Sequence, residues 1–549
     1  MALPAWAQST LYVSPSGKET GDGSIGHPLS RLASAVEKAR TAKGDVTIYL
    51  REGKYILDEP LVLTPRDGND TRRLSIKTYP GEKAVLTGGI PLTLQWEPYK
   101  KGILKAKVNG DPVMDMLIAD GQIRPAARYP NFDEEAVRFN GTSALATAPE
   151  RVKRWKNPAG GYLHAMHKSD WGDFHYRITR KNKKGELSLE GGWQNNRRSG
   201  LHPDNRMVEN IYLHNLGGNA VFFSRYNRHS EVSGSHLTRI GASAICFVGD
   251  PDAVRSPSFE YGESVPYEQL DHARGPRSNN YPAQCLVYDN LIHDIGLFEK
   301  QITGVELSMC QSITVSHNSI YDTPRAGINV SEGTWGGHTI AYNDVFDTVK
   351  ETGDHGSFNS WGRDRFWHPN YKTMEAIAAK DRALILADAV QTTVIRNNRT
   401  DEHSIVAPVQ FGNPSKGDFT VADDSEAIVK GGFRNFETDR FGVVSPRLKA
   451  MARTPEMPTP VFHSGDSGND ITHWHGTMIK SLQTLGERSA TGMDSERGVY
   501  VISVNALGSD LRDYLRPNDA IIRIGTIRKT RTKTATPTTT PHTPASSNS

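Results

Sequence analysis

The densest concentration of chemically able side chains lies in ETGDHGSFNSWGRDRFW (351–367), which holds Glu351, Asp354, His355, Trp361, Arg363, Asp364, Arg365 and Trp367. Two further polar residues interrupt apolar alternation, Glu306 in GVELS (304–308) and Asn329 in GINVS (327–331). Their neighbours Val305/Leu307 and Ile328/Val330 take one face of a strand, so Glu306 and Asn329 take the other. Carboxylates displayed this way suit acid–base cleavage of a glycosidic bond: a carboxylic acid protonates the leaving oxygen, and a carboxylate activates water or attacks carbon. Trp and Arg beside acids suit stacking on sugar rings and recognition of hydroxyls or uronates. Asp354 is the first choice as an essential carboxylate, and Glu306 and Asp364 compete for the second role. Candidate substrate contacts are His355, Asn329, Glu332, Trp335, Asn359, Trp361, Arg363, Arg365 and Arg325. A plainer account also fits: Glu306 as a solvated strand residue, and 351–367 as a salt-bridged loop whose tryptophans cover an edge.

The elements that must position these residues are repeats. Ser235, Asn290, Asn318 and Asn343 open SHLTRI, NLIHDI, NSIYDT and NDVFDT, each with an apolar residue two positions on: Leu237, Ile292, Ile320 and Val345. Gly-led short strands follow three of them, GVELS, GINVS and a region around GDHGSF (353–358). Spacing of this order is that of a solenoid, with apolar residues inward and an Asn ladder along one turn. The expected fold is therefore all-β, a right-handed parallel β-helix. Long gaps on either side of the run imply extra rungs or excursions, near 251–284 and 363–391; 251–282 reads as a polar surface loop and 372–387 as helical. Stacking places Glu306 beside Asn329, and then Asp354 or His355 one rung further, a one-residue register that the sequence leaves open. Rungs rise about 4.8 Å, so carboxylates two rungs apart have backbones about 10 Å apart. Leaning side chains then reach the roughly 6.5–9.5 Å of an inverting glycosidase more readily than the retaining distance.

The flanks are read more briefly. LYVSPSGKETGDGSIGHPLS (11–30), a helical LSRLASAVEKAR (29–40) and VTIYLREGKYIL (46–57) form a helix-and-strand cap. Met1–Gln8, with its Ala5-x-Ala7 pair, reads as the remnant of an export signal over 1–10, which places the protein in the periplasm, outside the cell or at its surface. The solenoid is expected over 11–444, a Pro-punctuated linker over 445–472 and a basic, polar tail over 526–549. Lys+Arg of 65 against Asp+Glu of 62, a net charge of +3, excludes nucleic acid as the main partner. No apolar stretch is long enough to span a bilayer. Cys246, Cys285 and Cys310 lack metal-ligand spacing and read as packed thiols. His473 and His475 flank Trp474 on one strand and cannot face one ion together.

The cap, IYDTPRAGINVSEG (320–333) and above all GDHGSFNSWGRDRFWHPN (353–370) resemble glycoside hydrolase family 141 and its β-helix relatives, over most of 11–450. That resemblance implies an exported enzyme hydrolysing a pectin- or xylan-type plant polysaccharide, with fucosidase and xylanase both represented. In those relatives the strand matching TTVIRNNR (392–399) leads into an Asp-rich segment and further rungs. Here Arg399 leads directly into TDEHSIVAPVQFGNPSKGDFTV (400–421), which implies a shortened cleft and an impaired site. Residues 473–525, with GVYVISV and YLRPNDAIIRIG, resemble the front of a bacterial PDZ domain without its closing helix and strand, a form ill suited to peptide binding. Two other functions fit the same fold. One is a polysaccharide lyase, with Arg325 next to Tyr321 as base and Ca²⁺ as charge neutraliser; the other is a surface protein that holds glycan without cutting it. No cofactor is implied for the hydrolase.

Overall fold

A computed structural model describes residues 9–69, 71–108, 117–167, 170–192, 201–209, 218–258, 262–332, 335–353, 355–400, 411–413, 418–421, 440–455, 471–482, 498–504, 519–521 and the single residues 423, 428, 435 and 515. The chain divides into two compact units, Met1–Pro458 and Thr459–Ser549.

The centre of the first unit is a β-helix-like solenoid of three five-stranded parallel sheets. The first sheet stacks Val221–Ser224, Ile245–Val248, Thr303–Ser308, Ala326–Ser331 and Phe358–Ser360. The second stacks Glu231–Ser233, Leu286–Tyr288, Thr314–Ser316, Thr339–Ala341 and Val394–Arg396; the third stacks His236–Ile240, Leu291–Ile295, Ser319–Ile320, Asp344–Val345 and Arg399–Thr400. The chain visits the sheets in that order on each turn, so the residues of each strand face their counterparts above and below. Val305 lies on Ile328, Leu307 on Val330, and Ile292 on Ile320. These inward residues are almost wholly buried and form one continuous core with Ile245, Phe247, Val315 and Ile340.

The ladder sits at the corner between the second and third sheets. Asn318 Nδ2 donates to Asn343 Oδ1 at 2.9 Å, and Asn343 Nδ2 to Asn398 Oδ1 at 2.9 Å. Asn318 Oδ1 accepts from both the backbone N–H and the Nδ2 of Asn290, each at 3.0 Å. Every amide also bonds backbone carbonyls of its own corner, so a fully buried polar row is satisfied by copies of itself. Asn398 extends the row beyond the anchors read from sequence. The rungs on either side of each long gap are paired directly, Leu237 on Ile292 and Asp344 on Arg399, so the gaps are excursions and not extra rungs.

Both excursions leave at the corner between the first and second sheets. The later one carries a helix at Tyr371–Lys380, capped by Asn370, which accepts from the Thr373 N–H at 3.2 Å. The earlier one corrects the surface-loop expectation: Ala253, Val254 and Leu270 are buried. The expected linker is corrected as well at its start, because the short helix Pro446–Lys449 buries Leu448 against Leu291, Tyr321 and Phe346 of the solenoid.

At the amino-terminal end, Ser9–Lys18, Val46–Leu50 and Leu74–Thr78 form a parallel sheet against which helix Leu32–Ala39 buries Leu32, Ala35, Val36 and Ala39. Sequence reading gave no element within 128–209, where a five-stranded antiparallel sheet runs in the order Arg128–Tyr129, Leu201–Glu209, Tyr162–His167, Asp173–Lys181, Leu187–Gly191. The three cysteines are buried thiols outside any disulfide. The second unit contains an antiparallel sheet of Thr472–Trp474, Thr477–Ser481, Val499–Val504 and Ala520–Ile521; much of the PDZ-like stretch, and the tail, lie outside the described residues.

Replacing Asn318 with Ala strips acceptors and donors from two buried neighbours, each worth about 1–3 kcal/mol when left unpaired. The expected loss is about 3 kcal/mol in urea unfolding, read as a lower midpoint at constant slope, against a smaller loss for Asn398→Ala at the end of the row.

Candidate active site

The outward face of the first sheet carries a column of Phe222, Cys246, Glu306, Asn329 and Asn359 in register. The predicted pairing of Glu306 with Asn329 is what the ladder shows. The next member is Asn359, however, neither Asp354 nor His355. The expected phase fails because the chain turns at His355 and Gly356, both with positive φ (91° and 46°), and the strand begins only at Phe358. Asp354 itself lies outside the described residues.

Glu306 is partly exposed and held from one side. Asn329 Nδ2 donates to its Oε2 at 2.9 Å and to its Oε1 at 3.1 Å, and Ser331 Oγ donates to Oε1. Asn359 Nδ2 donates to Asn329 Oδ1 at 2.8 Å, so the amides form a directed chain ending on the carboxyl group. Burial lifts Glu306 above the ordinary glutamic-acid range, outweighing the Ser331 and Asn329 hydrogen bonds and the nearby Arg325 charge. Cys246, its neighbour on the rung below, is held as a neutral thiol by burial and by Glu306.

Side chains from the two flanking corners edge this column. On the side where strands begin, Arg325 Nη2 lies 2.7 Å from His355 Nε2; arginine only donates, so that nitrogen accepts and the proton sits on Nδ1. Arg325 is buried, so it acts as a fixed charge behind the column and not as a direct substrate contact. Tyr321 does not join it but stacks on Phe346 at the outside of the third sheet, 4.9 Å between ring centres. Asn329 is buried too and serves to hold Glu306.

On the side where strands end, Trp361 continues the outward alternation, with the Arg363 guanidinium 5.3 Å from its ring centre. Arg363 pairs with Glu332. Asp364 is partly exposed, its carboxylate has no hydrogen-bond donor among the described residues, and burial together with Asp388 pushes it up to about 6. Two expected contacts are corrected. Trp335 is fully buried against Tyr281, ring centres 4.4 Å apart, and so has no face for a ligand. Arg365 is buried and bonded through Nε to Asp388 Oδ1 at 3.0 Å and through Nη1 to the Asp271 carbonyl at 2.6 Å, where it clamps the two excursions together.

Sequence reading missed a group at the other edge. His164 and His175 face each other across the Tyr162–His167/Asp173–Lys181 hairpin, with Asp173 between their rings and the solenoid corner at Glu299–Lys300. Burial holds His164 down, at about 3, and lifts Glu299 to about 7. The alternation His164-x-Met166 and Asp173-x-His175 across KSDWG (168–172) was the available signal, since strand alternation puts the first and last residues on one face.

No protein-family model matches the chain. A pectate lyase of Emericella nidulans, PEL9, is 32% identical over 86 residues, which are 16% of this chain and 20% of the lyase; the match thus spans about a fifth of that protein's length. A solved glycoside hydrolase superposes with a TM-score of 0.48 at 14% identity, covering 63% of this chain and 84% of that one. A solved complex of XylC with xylose superposes with a TM-score of 0.28 at 12% identity, covering 64% and 63%.

The raised Asp364 predicts a carboxylate that costs stability when ionised. Its folded value lies above its unfolded one, so the favourable contribution is complete below about pH 4 and lost as pH rises through about 6. Asp364→Asn is expected to stabilise the protein at pH 7 by about 1–3 kcal/mol and to match the parent below pH 4, as read from urea unfolding at both pH values.

Proposed function

We propose that the protein is an exported glycoside hydrolase that cuts a plant cell-wall polysaccharide of the pectin or xylan type, with Glu306 as its acid. The observation that carries this reading is Glu306 itself: a partly exposed glutamate on the outward face of a parallel sheet, fixed by Asn329 and Ser331 and raised by burial. A glutamic acid that holds its proton more tightly than usual donates it to the glycosidic oxygen as the bond to the anomeric carbon breaks. A second carboxylate, ionised, takes a proton from the attacking water or attacks the carbon itself. Asp354 is the first choice for that role and Asp364 the second. Asn359 and Trp361 offer an amide and an aromatic face to sugar hydroxyls and ring carbons, and the Arg363–Glu332 pair supplies charge at the same edge.

A second reading, a lyase, has one specific observation in its favour, the short stretch shared with a pectate lyase. A lyase removes the proton beside a uronate carboxylate and leaves a double bond that absorbs in the ultraviolet. Hydrolysis adds water and leaves none. A non-catalytic glycan-binding role is the third outcome of the same assay.

The test is digestion of pectic polysaccharides and xylans, with reducing ends and ultraviolet absorbance followed together for the parent, Glu306→Gln and Asp354→Asn. Reducing ends without absorbance, lowered about 10²–10⁴-fold in Glu306→Gln, are expected. The parent rate falls at low pH as the second carboxylate takes up a proton and falls again as pH rises through the Glu306 value, above the ordinary glutamic range; that alkaline limb disappears in the Gln variant. Absorbance rising with reducing ends replaces the hydrolase by the lyase, and glycan binding without either product replaces both by a binding protein.

A further inference from the structure

We propose that His164, Asp173 and His175 form a buried binding site for one divalent ion of the zinc class, at the junction of the antiparallel sheet with the solenoid.

Ligand atoms of His164, Asp173 and His175 lie within 4.8 Å of one another, and all three residues are buried. Their arrangement is directed and not merely crowded. His164 Nε2 bonds Asp173 Oδ2 at 2.6 Å, and His175, its ring stacked on His164 with 3.8 Å between centres, brings Nε2 within 3.3 Å of the same oxygen. The other carboxylate oxygen is occupied: Asp173 Oδ1 accepts from the backbone N–H groups of Lys300 at 2.8 Å and Gln301 at 3.2 Å. Such outer hydrogen bonds fix a ligating carboxylate so that its free oxygen faces the metal. Glu299 Oε2 lies 3.6 Å from His175 Nε2, beside the three-residue group and outside it.

The spacings fit a small tetrahedral ion. Two ligand atoms each about 2.0–2.1 Å from zinc lie about 3.3 Å apart, which matches the His175–Asp173 edge. The His164–Asp173 edge is at hydrogen-bond length and opens by about 0.7 Å when an ion of that radius replaces the shared proton. Two imidazoles with one carboxylate suit zinc and its first-row neighbours. Calcium and magnesium call for six or more oxygen ligands, which this buried pocket does not offer. The nearby Lys300 ammonium is already paired with Glu351 Oε1 at 2.7 Å.

The location gives the ion a consequence. The histidines and Asp173 belong to the antiparallel hairpin, while Lys300 and Gln301, whose N–H groups hold Asp173, belong to the corner that leads into the strand of Glu306. The same junction holds the Arg138–Asp170 ion pair and the bond from the Gly353 N–H to the Asp170 carbonyl at 2.7 Å, two residues before His355. An ion bound there adds its binding energy to folding.

The experiment uses the full chain, purified without a polyhistidine tag and without chelator, then stripped and titrated with zinc alone and with cobalt alone. One equivalent of zinc per chain, a melting temperature raised by zinc and lowered by chelator, and the intense visible bands of tetrahedral cobalt are expected. His175→Ala is expected to abolish the cobalt bands, and Glu299→Gln to weaken zinc binding about 10–100-fold. Folded parent protein that takes up no zinc, melts at the same temperature with and without it and shows only six-coordinate cobalt overturns the proposal. The cluster is then a hydrogen-bonded network of neutral histidines around an ionised aspartate. Should the variants fail to fold, the stoichiometry and cobalt spectrum of the parent decide alone.

Discussion

In-register stacking of one turn on the next is the constraint on which everything else rests. Parallel pairing leaves no freedom to slip, because a one-residue shift turns every inward residue outward. The asparagine row at the corner of the second and third sheets enforces it with side chains: each amide needs the next at the same height, and a shifted turn leaves buried donors and acceptors unpaired. The same phase governs the first sheet. It places Glu306, Asn329 and Asn359 one above another and makes Asn329 a donor to Glu306 instead of to solvent. A ladder built for stability therefore also sets the chemistry of a carboxyl group on a different face.

The solenoid makes a regular surface but no walls, and the excursions supply them. Both long ones leave from the corner after the first sheet, where Arg365, held by Asp388 within 361–391, reaches the Asp271 carbonyl of 251–282. The antiparallel sheet closes on the corner before the first sheet, through Asp173 on the Lys300 and Gln301 N–H groups. The buried charges at both corners are compensated, whereas Asp364 and Glu306 are raised by burial that their partners do not offset. A carboxyl group that holds its proton more tightly than usual is the kind that acid catalysis uses.

What was legible in the sequence followed from local rules. The asparagine anchors, the inward residues and the Glu306–Asn329 pairing need only a repeat and strand alternation, and all three appear in the structure. What was hidden depended on distant partners. Trp335 and Arg365 look like ligand contacts until Tyr281 and Asp388 bury them. The rung at Asn359 was misphased because two positive-φ residues, His355 and Gly356, reset the strand. The hairpin carrying His164 and His175 belongs to no repeat, so the periodicity that exposed the solenoid concealed it.

The most direct measurement is a crystal structure of Glu306→Gln with a bound oligosaccharide released from a polymer that the parent protein cleaves. The expected result is a sugar chain lying along the Glu306–Asn329–Asn359 column, with a glycosidic oxygen within hydrogen-bond reach of the residue 306 side chain and a ring against Trp361. Sugar bound elsewhere on the first unit, with the column filled only by solvent, contradicts it.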